Sequence, residues 1–248
     1  MKIAMMQPTF LPWQGFFGLV YQTDSFIFLN DFQFSVQSFH QRNRLFVNKD
    51  QVDWYTAVVD KKASFRCPLN ITKMNKNLPW REKLWKRLEQ TYRKTPHFQT
   101  LIPFLKQWIL TDHDSLADQN VMFIQYVCEA FGWKHKFLFS SDYASTLNRS
   151  HRVFELLKIA EGTTYYAAQG AFDYMSQDGL FPVTGIEVVF QQFKQVPYSQ
   201  NHSNEFVPYL SVLDALCNLG VESTSDLIIK GLKLPLTWQE MQVLQSSQ

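Results

Sequence analysis

Short apolar runs broken by proline, glycine and polar pairs divide the chain into elements of two periods. Lys2-Ile3-Ala4-Met5-Met6 reads as a buried strand that stops at Gln7-Pro8. The stretch from Gln7 to Phe17 holds Pro8, Pro12 and Gly15, so a shaped turn is expected there. Phe16 to Tyr21 follows as a short helix, and Ser25-Phe26-Ile27-Phe28-Leu29 as a second strand ending in Asn30-Asp31-Phe32-Gln33. The polar, basic His40-Gln41-Arg42-Asn43-Arg44 comes next, and Val52 to Val59 reads as a strand. Lys61 to Asn77 is expected to be irregular. Helical periodicity then runs from Pro79 to Pro96 (Trp80, Leu84, Leu88, Tyr92), from Thr100 to Leu110, and from Ser115 to Phe131. Phe137–Phe139 predicts a strand, Asn148–Ala160 a helix, and Thr163–Ala168 and Ile186–Phe190 two further strands. Helices are expected over Ser211–Leu219 and Thr224–Lys230, with a polar tail from Trp238.

This order predicts an α/β fold with an open, mostly parallel sheet. The expected organisation is a single domain over 1–248 with a central helical insertion, a subdomain at about 79–131. In open sheets ligands bind outside the carboxyl ends of the strands. Gln7, Asp31 and Gln33 all fall at such ends, and Gly170 follows a third.

Composition narrows the class. The 22 Phe, 10 Tyr and 7 Trp with only 9 Gly exclude a low-complexity chain. Gln7, Pro8, Pro12 and Gln14 interrupt any apolar leader, and no run approaches the ~18 residues of a membrane span. A cytoplasmic location without membrane insertion is the expectation. Cys67, Cys128 and Cys217 are odd in number and far apart, and the six histidines show no ligand spacing, so neither a disulfide framework nor a metal site is expected. No cofactor motif stands out. The net charge of +2 conceals a basic stretch from Thr72 to Thr95, with eight basic and two acidic residues. It suggests an anionic partner, or is the solvated face of an ordinary amphipathic helix.

Met6-Gln7-Pro8-x-Phe10-x-Pro12-x-x-Gly15-Phe16, Asp31-x-Gln33 and Arg42-Asn43-Arg44 resemble the WbqC-like protein family. The likeness continues through Tyr92-Arg93-Lys94-Thr95-Pro96, Asn120, Ser140-Ser141, Tyr198-x-Gln200 and Pro208-Tyr209-Leu210-Ser211-Val212-Leu213-Asp214. The resemblance implies a bacterial protein of surface-polysaccharide (O-antigen, lipopolysaccharide) synthesis that transfers an acyl or aminoacyl group to the amine of a nucleotide-linked amino sugar. It implies substrate contacts from Gln7, Phe10, Pro12, Gly15, Gln33, Asn43, Gly170, Tyr198 and Gln200. The N-terminal unit is also similar to the HxGH nucleotidylyltransferases, but Trp13 and Phe16 stand where that pattern has histidines, which excludes adenylyl transfer by that route.

Asp31 is the candidate general base. His40, beside the arginine motif, is a second acid–base candidate. Arg42 and Arg44 are candidate phosphate ligands, or part of a solvated turn. Ser211 reads as a helix cap with Asp214 in the place of the usual glutamate of a capping box. Two rival functions stay open: a sugar-nucleotide binding protein without chemistry, and an RNA binder that uses the basic helix. A charged tRNA as acyl donor would merge the last with the first.

Overall fold

The computed structural model describes residues 1–60, 62, 64 and 66–246. The sheet is built around β1 (Lys2–Met6), which lies parallel between β2 (Ser25–Phe28) and β6 (Thr164–Ala167). β5 (Lys136–Phe139) extends it beyond β2, and β7 (Glu187–Phe190) beyond β6. β8 (Leu236–Thr237) closes the far edge antiparallel, giving the order β5-β2-β1-β6-β7-β8. The fold is thus α/β with a mostly parallel sheet. The chain moves outward from β1 through β2 to β5 and then crosses back to β6. Connections therefore diverge at the β1/β6 pair, and a crevice opens outside their carboxyl ends.

Strand residues alternate between two apolar layers, as the period of two requires. Ala4, Phe26, Phe28, Tyr166 and Val189 face one core, shared with α1 (Gln14–Tyr21), α7 (Val212–Leu219) and α8 (Val221–Gly231). Ile3, Met5, Ile27, Tyr165 and Phe190 face the other. That layer is covered by α5 (Arg149–Ile159), α6 (Phe172–Asp178) and α9 (Trp238–Ser246). The three central helices form as expected: α2 (Trp80–Tyr92), α3 (Phe98–Leu110) and α4 (Leu116–Ala130). Ser115 caps α4 by accepting the Asp118 amide. Cys128 and Cys217 are buried and Cys67 is half-buried.

Four elements differ from the sequence expectation. Arg42-Asn43-Arg44 is not a turn but the start of β3 (Arg42–Asn48), paired antiparallel with β4 (Gln51–Thr56). One face of that hairpin is half-open, so its arginines carry no apolar signal. α6 and β8 are additional. The expected polar tail is α9, with Trp238 and Met241 as its buried anchors. Its start is a capping box: Thr237 N–H donates to Glu240 Oε2 at 2.7 Å, and Glu240 N–H donates to Thr237 Oγ1 at 3.3 Å. The irregular stretch expected from Lys61 to Asn77 lies partly outside the described residues, at 61, 63 and 65; within the remainder Leu69–Ile71 forms a 3₁₀ turn.

Candidate functional site

Outside the carboxyl ends of β1, β2 and β6 lies a cleft of about 770 Å³. The strand ends supply Gln7, Asp31, Gln33 and Gly170, and the start of α5 supplies Asn148, Arg149 and Arg152. Tyr165 and Tyr174 add aromatic wall. The volume is within the range of small-ligand pockets, and the position is the one an open sheet offers.

Asp31 is held from two sides. Ser140 Oγ donates a short hydrogen bond to Oδ1, and Arg152 lies 3.2 Å from Oδ2. Arg152 is only 3% exposed. Its guanidinium also donates to the carbonyls of Ser140 and Tyr143, at 2.7 and 2.6 Å, and pairs with Glu155 at 2.6 Å. A buried cation with this many acceptors fixes the carboxylate that it meets. The neighbouring Asn30 ties the ends of β2 and β5 together: its amide donates to Ser141 Oγ at 2.9 Å and accepts the Ser141 N–H at 3.1 Å.

Gln7 is positioned by the loop after β2. Its Nε2 donates to the Gln33 carbonyl at 3.4 Å, and its Oε1 lies 3.0 Å from His40 Nε2. His40 Nδ1 accepts the Ser35 N–H at 3.2 Å, so Nε2 carries the proton and donates to Gln7. Burial pushes the His40 pKa down to about 4. His40 is therefore a neutral group that orients Gln7, not an acid–base group poised near neutral pH.

The remaining expected site residues are placed elsewhere. Phe10 is fully buried and its ring meets Trp108 at 5.5 Å. Pro12 accepts the Val212 N–H at 2.8 Å through its carbonyl. Gly15 lies under the Trp13 indole, where a Cβ would come within 2.2 Å of the ring. Asn43 is buried and donates to the Phe10 and Leu11 carbonyls at 3.3 and 2.7 Å. These four shape the loop after β1 and are not among the lining residues. Neither are Arg42 and Arg44: on β3, the Arg42 guanidinium sits 4.2 Å above the Trp54 ring. Gly170 borders the cleft, but a Cβ there would meet nothing within 4 Å, so packing does not demand glycine.

Tyr198 and Gln200 belong to a second polar cluster around Asp214, which is fully buried. Its carboxylate accepts from Tyr198 at 2.6 Å, from Gln200 at 3.0 Å and from Tyr92 at 3.0 Å. Burial raises the Asp214 pKa in spite of these donors. Ser211 does cap α7, accepting the Leu213 N–H at 3.2 Å, but the Asp214 side chain turns away to this cluster instead of closing a capping box. The cluster ties α7 to α2 and to the segment before it.

Arg149, Arg152 and Tyr174 are cleft residues that the sequence reading passed over. Asn148, at the expected start of the helix that carries them, was the available signal for the first two. Arg149 pairs with Asp178 at 2.8 Å and is half-exposed, so it can reach a ligand at the start of α5. Among the described residues no group of three or more His, Cys, Asp or Glu side chains is placed to hold a metal ion. Nor is any described helix long and apolar enough to cross a membrane.

The sequence model of the WbqC-like protein family matches residues 7–226. Uncharacterized protein Rv1507c of Mycobacterium tuberculosis is 26% identical over 223 residues, covering 90% of this chain and 95% of that protein. No solved structure matches the chain.

Proposed function

The chain belongs to the WbqC-like protein family, and from that premise we propose that its cleft binds a nucleotide-linked amino sugar and transfers an acyl or aminoacyl group to the sugar amine, in the synthesis of a surface polysaccharide. The observation that carries this reading is the cleft of about 770 Å³ at the β1/β6 divergence, with a fixed carboxylate and a reachable arginine on its walls. Arg149 takes the diphosphate, since a guanidinium matches phosphate oxygens in pairs. Gln7, held by His40 and the Gln33 carbonyl, hydrogen-bonds the sugar. Asp31 faces the amine. In the transfer a nitrogen–carbon bond forms, the bond from the acyl carbon to its donor breaks, and one amine proton passes through Asp31 to the leaving group. Binding by a UDP-linked amino sugar should raise the melting temperature, and Arg149→Ala should abolish the rise. ATP should give a smaller shift, and an equal shift from ATP would point away from a sugar site.

One observation favours a second reading, binding without chemistry. Both Asp31 oxygens already have partners in Ser140 and Arg152, and both ring nitrogens of His40 are engaged. Turnover with an activated acyl donor separates the two readings: tight ligand binding with no product would establish the second.

A further inference from the structure

A face separate from the cleft carries two exposed aromatic rings, Phe39 and Tyr209, and two half-buried ones, Trp54 and Trp13, interleaved with half-buried arginines. In the β3/β4 hairpin, Arg44 pairs with Trp54 and Arg42 with Thr56, so all four side chains share one face. None of them is a carboxylate. The opposite face is packed against α2, where the Tyr55 hydroxyl meets Thr91 at 3.2 Å. The one acid of β4, Asp53, is on that opposite side and pairs with Arg87 at 2.7 Å.

The half-open face continues in both directions. At one end the Phe39 ring, 55% exposed, lies 5.8 Å from Trp54. At the other, Ser211 N–H donates to the Arg44 carbonyl at 3.0 Å, which brings Tyr209 alongside β3. Tyr209 is 61% exposed and its ring lies 5.5 Å from Trp13, which in turn meets Phe193 edge-on at 5.4 Å. The backbone here is strained. Tyr209 has φ 59° and Leu11 φ 47°, both non-glycine residues in the left-handed region. Such strain persists only where surrounding contacts enforce it. Two hydrogen bonds do so here: Gln195 Oε1 accepts the Tyr209 N–H at 2.8 Å, and Asn43 donates to the Leu11 carbonyl at 2.7 Å.

We propose that this face, Phe39–Trp54–Arg42–Arg44–Tyr209–Trp13, binds a single-stranded RNA segment. The exposed Phe39 and Tyr209 rings offer stacking platforms to bases, the half-buried Trp54 and Trp13 back them, and the arginines between them meet the phosphates. A lone nucleotide would use only one end of a row that runs from Phe39 to Trp13. The face does not depend on what the cleft binds. It also differs from the basic helix α2, whose exposed Lys83 and Lys86 lie on another element.

The test is fluorescence anisotropy of labelled decauridylate with the whole protein, against a duplex of the same length and against UMP. Saturable binding is expected for the single strand, with little for the duplex or UMP. Tyr209→Ala should weaken it roughly tenfold, since each stacked base contributes on that order. Arg44→Ala should weaken it and lower the slope of log affinity against log salt by about 0.7. Lys83→Glu with Lys86→Glu should change it much less. Melting temperatures of the variants establish that each is folded, and sugar-nucleotide binding by Tyr209→Ala should match the wild type. Absence of single-strand binding, equal affinity for UMP, or full affinity in both Tyr209→Ala and Arg44→Ala would overturn the proposal and leave the cleft reading untouched.

Discussion

Asp31 Oδ2 and the Arg152 guanidinium meet at 3.2 Å although 121 residues separate them in the chain. Arg152 is buried, while the Asp31 side chain keeps 29% of its surface open. The pair therefore has a structural half and a half that faces the cleft. Arg152→Gln should destabilise the protein by about 3 kcal/mol, because its partners lose a buried charge. Asp31→Asn should cost about 1 kcal/mol and remove turnover. Urea unfolding of the two variants checks the asymmetry; equal losses would make Asp31 a structural residue.

His40 gives a pH dependence with a definite sign. Its pKa falls from 6.5 to about 4 on folding, so the unfolded chain binds the extra proton between those values. Stability should rise with pH across that window and be level above it, by an amount on the order of 3 kcal/mol in all. His40→Gln should flatten the rise. The His40 ring signals in an NMR titration should show no change between neutral pH and about pH 5.

Asp214 has the opposite sign. Its folded pKa is raised by burial, so the native state keeps a proton that the unfolded chain has lost. From an ordinary value of 3.8 upward, stability from this group falls as pH climbs through the raised value. Asp214→Asn should remove that fall. Asp214→Ala should cost at least about 3 kcal/mol, since the Tyr92, Tyr198 and Gln200 donors would lose their acceptor in the interior. Denaturant unfolding of wild type and both variants across a pH series measures the difference.

Much of the architecture was legible from the sequence because burial writes a period. The strand Lys2–Met6 and the helix Trp80–Tyr92 carry their apolar pattern openly. β3 did not, because Arg42 and Arg44 occupy its half-open face and Asn43 is buried by bonding backbone carbonyls. α9 hid behind polar residues and needs only Trp238 and Met241 to dock. Of the residues lining the cleft, Gln7, Asp31 and Gln33 were legible from strand ends, and Gly170 from a strand end together with the resemblance. Arg152 was not: nothing local marks an arginine whose partners, Asp31 and the Ser140 carbonyl, come from other elements. Sequence motifs likewise did not say which face they build. Phe10, Pro12, Gly15 and Asn43 gather at the loop after β1, and Tyr198 and Gln200 around Asp214.

In the proposed function, phosphates of a nucleotide-linked sugar sit by Arg149 at the start of α5. Among the described residues, Arg149 is itself half-exposed and pairs with partly exposed groups, so its loss should change the melting temperature little. Calorimetry of a UDP-linked amino sugar against wild type, Arg149→Ala and Arg44→Ala tests the claim most directly. A charge-assisted contact contributes roughly 1.5–3 kcal/mol, so Arg149→Ala should weaken binding at least about tenfold. Arg44→Ala should bind as the wild type does. Unchanged affinity in Arg149→Ala, with the loss appearing in Arg44→Ala, would contradict a phosphate site at α5 and move the ligand to the β3/β4 hairpin.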